Sequence, residues 1–157
     1  LASVKPPQGR GEKIALGAGD SRIILIDESY NANPTSMRAA LALLAQTPVG
    51  DKGRHIAVMG DMLELGHDAE AMHAGLATSI EDNNIDLVFC CGPLMRALYE
   101  LLPPHRRGGW FETSRDLADV LPNHVKAGDA MMVKGSNGSR MRLVIDRLKS
   151  SLDKEPV

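Results

Sequence analysis

Ile23-Ile24-Leu25-Ile26-Asp27-Glu28-Ser29-Tyr30-Asn31-Ala32-Asn33-Pro34 is the stretch that decides the fold. Its first four residues are apolar without alternation, and a strand buried on both faces belongs inside a sheet covered by helices. Asn33-Pro34 then supplies a helix N-cap with proline at the first helical position. Met37, Ala40, Leu41 and Leu44 follow at the i, i+3, i+4, i+7 spacing of one helical face, which predicts a helix ending near Gln46. A buried strand feeding a helix through a short polar loop is half of a βαβ unit.

Working outward, the same alternation recurs. Residues 1–11, with two prolines and two glycines, read as an interdomain linker. Residues 12–16 form a strand joined to residues 22–26 by Gly17-Ala18-Gly19-Asp20, an N-terminal hairpin. Downstream come a strand at 55–59 and a helix at 68–82 with Ala69, Met72, His73, Leu76 and Ile80 on its stripe. A strand at 86–91 precedes a helix that turns Leu94, Ala97, Leu98 and Leu101 inward. A short strand at Trp110-Phe111 leads to a helix capped by Ser114 and running to Leu121. A strand at 130–133 and a helix at 137–152 on Met141, Val144, Ile145 and Leu148 complete the pattern, with residues 153–157 as a flexible tail. The predicted fold is α/β: a Rossmann-like, mostly parallel sheet with helices on both faces, occupying residues 12–152.

Composition narrows the function. A chain of 157 residues with 43% hydrophobic content is one domain's worth. Lys+Arg 18 against Asp+Glu 20 leaves a net charge of -2, and five aromatic residues are too few for base-stacking platforms, so nucleic acid is not an expected partner. Cys90 and Cys91 are neighbours in an apolar strand and read as core thiols on opposite faces, which suits a reducing cytosol. No apolar run approaches the roughly 18 residues of a membrane span, and the first residues lack the apolar core of a signal peptide. The chain begins with Leu rather than Met, and the expectation is that it was cut from something longer.

In such a sheet, function belongs just beyond the carboxyl ends of the strands. Four loops qualify: residues 27–33, 60–66, 92–93 and 134–139. In the first, a carboxylate suits ribose hydroxyls, Asn side chains suit an adenine edge and Tyr30 offers an aromatic face, which together suit a nucleotide. The same residues also serve simpler ends, Asn33 as cap and Asp27 as a turn residue. No G-x-G-x-x-G follows the strand, which argues against a dinucleotide-dependent oxidoreductase.

The second loop, Gly60-Asp61-Met62-Leu63-Glu64-Leu65-Gly66, carries paired acids able to hold an ammonium, a metal or a basic side chain, or else simply closes over the sheet edge. His67, Glu70 and His73 lack the i, i+4 spacing of a helical metal site, and His73 reads as a packing residue. In the last, Lys134-Gly135-Ser136-Asn137-Gly138-Ser139-Arg140, small residues, a helix start and two cations favour a carboxylate or phosphate. It is not a Walker A loop, and no other stretch is. Arg10 between two glycines is a mobile guanidinium, and Arg140, Arg142, Asp146, Arg147 and Lys149 read as a solvated helix face.

Ile26-Asp27-Glu28-Ser29-Tyr30-Asn31-Ala32-Asn33-Pro34-Thr35-Ser36-Met37, Ala57-Val58-Met59-Gly60-Asp61-Met62-Leu63-Glu64-Leu65-Gly66 with His73 behind it, and Val133-Lys134-Gly135-Ser136 together resemble the C-terminal domain of the Mur ligases. The resemblance covers roughly residues 9–148 and is nearest to the last amino-acid-adding member. It implies a cytoplasmic, ATP-dependent C–N ligase of peptidoglycan synthesis that joins D-alanyl-D-alanine to UDP-N-acetylmuramoyl-tripeptide through an acyl phosphate. In that family a first domain holds the UDP-sugar, and a central one holds the P-loop and Mg2+. The third closes over ATP and the incoming substrate. The resemblance assigns Arg10, Asp27, Tyr30, Asn31 and Asn33 to ATP, and Lys134 and Ser136 to the substrate-facing strand end. Charge and helix-start arguments add Arg140 to a site for the dipeptide carboxylate. No catalytic residue or metal ligand is assigned to this chain. A second Asp is common where Glu28 stands, so either Asp27 or Glu28 suits the ribose. Two other classes fit less well: a receiver-like domain, with Asp61 as phosphoacceptor, and a standalone nucleotide- or peptide-binding module.

Overall fold

The computed structural model describes residues 6–152. The start of the predicted linker, residues 1–5, and the predicted tail, residues 153–157, lie outside the described residues. Six strands form one sheet there: β1 (Glu12–Leu16), β2 (Ile23–Glu28), β3 (His55–Gly60), β4 (Leu87–Cys91), β5 (Arg107–Phe111) and β6 (Ala130–Lys134). Their order is β1-β2-β6-β3-β4-β5; β1 runs antiparallel to β2 and every other pair is parallel. The predicted α/β class and the N-terminal hairpin are both present. The helices are α1 (Pro34–Gln46), α2 (Ala69–Ala74), α3 (Leu76–Asp82), α4 (Met95–Tyr99), α5 (Ser114–Val120) and α6 (Arg142–Leu152).

Strand alternation sorts the core into two layers. Ile26, Ala57, Met59, Val88, Cys90 and Met132 meet α1, α3 and α4 on one face. Leu25, Val58, Phe89, Cys91, Met131 and Val133 meet α5 and α6 on the other. Cys90 and Cys91 therefore fall in opposite layers as predicted, and burial pushes both thiols well above the ordinary range. The α1 prediction holds residue for residue: Asn33 Oδ1 accepts from the Ser36 N–H at 2.8 Å, Ser36 Oγ accepts from the Asn33 N–H at 3.0 Å, and Met37, Ala40, Leu41 and Leu44 are buried.

Several boundaries move. Asp27, Glu28 and Lys134 are strand residues rather than loop residues, because β2 and β6 pair through Glu28 and Lys134. The helix predicted over 68–82 is interrupted at Gly75, and Met72 is exposed. In the five-residue α4 the buried positions are Met95 and Leu98, followed by Leu102, whereas Leu101 is 60% exposed. The cap of α5 is Thr113, which accepts from the Asp116 N–H, and not Ser114. The last helix begins at Arg142 rather than 137: Asn137–Ser139 is a 3-10 turn, and Arg140 adopts a left-handed φ of 61° that ends it.

The topology fixes where loops diverge. β6 lies between β2 and β3, and its helix α6 packs on the face opposite α1 and α3. Loops leaving β2 and β6 thus part to opposite faces, which is the arrangement that opens a crevice at the carboxyl end of an open sheet. The order also departs from the 2-1-3-4-5 order of receiver-type sheets, since here the last parallel strand sits between the first two.

Candidate functional site

Because β2 and β6 pair with Glu28 opposite Lys134, these two side chains share a face with Ile24, Ile26 and Met132, the face of α1. They line a cleft of about 420 Å3 with Gly9, Arg10, Tyr30, Asn31, Asn33, Ser36 and Ala39. The Arg10 guanidinium lies 3.9 Å from the centre of the Tyr30 ring, and Tyr30 is half exposed. Residues 9–11 are tied to the end of β2, the Gly11 N–H donating to the Asp27 carbonyl at 2.8 Å and the Tyr30 N–H to the Gly9 carbonyl at 3.0 Å. Four of the five residues matched to a nucleotide loop are thus brought together: Arg10, Tyr30, Asn31 and Asn33.

The fifth, Asp27, points to the other face. Its carboxylate is fully buried, accepts from the Ser29 N–H and hydroxyl at 3.0 and 2.6 Å, and pairs with Arg142 at 2.8 Å. Arg142 is accordingly no member of a solvated face, as the charge pattern had implied: it bonds β2 to the first turn of α6. Of the two neighbouring acids, Glu28 is the one in the cleft. Burial raises its carboxyl above the ordinary range, the nearby Lys134 ammonium opposes this and Asp27 adds to it. Burial likewise pulls Lys134 below the ordinary lysine range, with Glu28 pulling the other way.

Lys134 and Ser136 are both buried, and their polar atoms are engaged by neighbouring loops. Lys134 Nζ donates to the Asn31 carbonyl at 2.8 Å. Ser136 Oγ accepts from the Leu63 N–H at 2.8 Å. Arg140 is exposed and opens onto a second pocket of about 390 Å3 that includes Leu63, Cys91, Pro93, Glu112 and Ser114. The loop after β5, residues 112–114, was missed in the sequence although Trp110-Phe111 was read as a strand; its carboxyl end pointed there. Ser36 and Ala39 were missed too, and their places three and six residues after Asn33, on one side of α1, are the signal that finds them.

The loop at 60–66 is held from inside. His73 Nε2 accepts from the Met62 N–H at 2.9 Å while Nδ1 donates to the Ala69 carbonyl at 2.6 Å, so both ring nitrogens are engaged in packing the loop. Asp61 is buried and accepts from the N–H groups of Met95 and Leu94, which caps α4 and leaves it poorly placed as a phosphoacceptor. Burial raises its carboxyl, with those two amides opposing. Among the described residues no three His, Cys, Asp or Glu side chains gather to hold a metal ion, and no helix is long and apolar enough to cross a membrane. A wider hollow of about 670 Å3 lies at the opposite end of the sheet, but its buried acid, Asp129, is already paired with Arg54 at 2.8 Å.

Residues 9–137 match the family model described as Mur ligase, glutamate ligase domain. The chain is 31% identical over 146 residues to the UDP-N-acetylmuramoyl-tripeptide–D-alanyl-D-alanine ligase of Rickettsia prowazekii, covering 93% of this chain and 31% of that protein. It is 31% identical over 144 residues to the ligase of the same name from Bacillus subtilis, covering 90% and 31%. The MurF ligase of Thermotoga maritima in complex with ADP superposes with a TM-score of 0.77 at 25% identity, over 96% of this chain and 33% of that one. The chain thus spans about a third of the length of the relatives it matches. With the family model covering most of its length, from the Arg10 segment to the loop after β6, the chain belongs to the Mur ligase family, as its glutamate ligase domain.

Proposed function

We propose that this chain is the C-terminal domain of a longer, cytoplasmic, ATP-dependent ligase of peptidoglycan synthesis that joins D-alanyl-D-alanine to UDP-N-acetylmuramoyl-tripeptide. The observation that carries the reading is the cleft where Arg10 stacks on Tyr30 beside Glu28, Asn31 and Asn33. An aromatic face, a carboxylate and two carboxamides are the groups that hold a base and a ribose, and the guanidinium supplies the charge for phosphates. Glu28 takes the ribose role in this reading, and Asp27 acts through Arg142 by fixing the end of β2. Asn33 uses its oxygen to cap α1, so its NH2 is what remains for the ligand. Residues 1–11 serve as the linker, residues 12–152 as the domain and residues 153–157 as a tail.

In the longer enzyme, ATP phosphorylates the tripeptide carboxyl and the dipeptide amine displaces phosphate. The side chains of this domain bind and orient; they form no covalent intermediate. Arg140 offers the dipeptide carboxylate an exposed cation, while Lys134 and Ser136 shape the same strand end from behind. In this reading magnesium is assigned to the preceding domain. The test is ADP titration of wild type and Tyr30→Ala. The substitution should weaken binding about tenfold, the worth of one aromatic contact, and unchanged affinity would refute the cleft assignment.

A further inference from the structure

Ser136 stands where three loops meet. Its Oγ accepts from the Leu63 N–H at 2.8 Å, its hydroxyl donates to the Ala32 carbonyl at 3.4 Å, and its own N–H donates to the Asp61 carbonyl at 3.1 Å. One buried residue therefore joins residues 29–33, beside the cleft, to residues 61–65 across β6. Leu63 is 38% exposed and lines both the 390 Å3 pocket and a hollow of about 280 Å3 shared with Asn31, Glu64, Asn137 and Gly138. Glu64 then holds a left-handed φ of 63°, a conformation that persists only where neighbours fix it. His73 and Ser136 hold the Met62 and Leu63 amides, the two residues just before Glu64.

The two hydroxyl bonds are unequal. The one to Leu63 has normal length, whereas 3.4 Å to Ala32 is beyond the usual O–H···O range. A hydroxyl that donates more strongly also accepts more strongly. A ligand that draws the Ala32 backbone toward β6 therefore tightens the hold on Leu63.

We propose that Ser136 is a positioning residue that couples occupancy of the nucleotide cleft to the loop at residues 61–65, ordering one wall of the neighbouring pocket before the acceptor enters. This rests on the nucleotide reading above, and its failure is separable from the failure of that reading. The experiment follows backbone amide resonances of the 157-residue chain during ADP titration. In wild type the signals of residues 30–33 and of Leu63 shift with one midpoint. In Ser136→Ala the shifts at 30–33 persist while that at Leu63 is lost with the hydrogen bond that carries it; Ser136→Thr, which keeps the hydroxyl, restores it. Should the alanine variant lose its folded spectrum, Ser136→Cys, a weaker donor of similar size, gives the same comparison. A Leu63 shift undiminished in these variants overturns the proposal, as does a wild type in which residues 30–33 respond and Leu63 does not. No response at residues 30–33 in wild type refutes the nucleotide reading and this coupling with it. In the longer enzyme, Ser136→Ala raises the dipeptide KM about tenfold, the weight of one hydrogen bond, with little change in the ATP KM; equal rises in both overturn the coupling.

Discussion

At the scale of single residues, the sharpest contrast is between Asp27 and Glu28, adjacent acids with opposite fates. Asp27 is fully buried, with its carboxylate bonded by Arg142 and Ser29. Arg142→Met leaves that carboxylate with the Ser29 donors alone and should cost about 2–3 kcal/mol in urea unfolding, less than the loss for a fully buried pair because Arg142 is partly solvated. A loss under about 0.5 kcal/mol, typical of surface sites, would contradict the bridging role. Glu28 answers to pH instead. Its carboxyl is raised above 4.5 by burial, so the folded state holds the proton more tightly than the unfolded chain. Its stabilising share is full below 4.5 and is lost as pH rises through the folded value. The stability difference between wild type and Glu28→Gln should therefore move in favour of wild type as pH falls from neutrality past 4.5, and a flat difference would refute the burial argument. Which acid faces the cleft was legible in principle, because Glu28 continues the alternation Ile24, Ile26 and Asp27 continues Leu25. The Arg142 partnership was not, since it joins residues 115 positions apart.

At the scale of elements, helix α1 was legible throughout because its cap, its proline and its apolar stripe are all local. The short helices were not. In α2, α3 and α4 one or two turns leave too few periodic positions to fix a phase, which is why the stripe through Met72 and Leu101 misplaces both side chains. Their ends are set by tertiary contacts: the first turn of α4 is capped by Asp61, and Gly92 makes room for that carboxylate. Gly92 has φ +103°, and a Cβ there would lie 2.4 Å from the Asp61 carboxyl carbon. Gly92→Ala should cost at least about 2 kcal/mol by adding strain and displacing the cap. The check is the chemical denaturation midpoint; an unchanged midpoint would mean that Asp61 does not hold α4.

At the scale of the whole molecule, the α/β class follows from alternating periodicities and a fully apolar β2, but the strand order does not. Placing β6 between β2 and β3 pairs residues 106 positions apart on one side and 75 on the other, and only that insertion brings Lys134 beside Glu28 and Ser136 between two loops. The candidate site was read as separate loops; the topology makes the first, second and last of them one connected surface. In the function proposed above, this domain orients ligands without transferring phosphate. The 157-residue chain should bind ADP yet release no phosphate from ATP above background, and steady turnover would contradict that division of labour. The most direct test is phosphate release from ATP by the longer ligase proposed above. The account predicts release that requires UDP-N-acetylmuramoyl-tripeptide and D-alanyl-D-alanine together and is lost when either is withheld; release indifferent to the dipeptide, or satisfied by a single amino acid in its place, would contradict it.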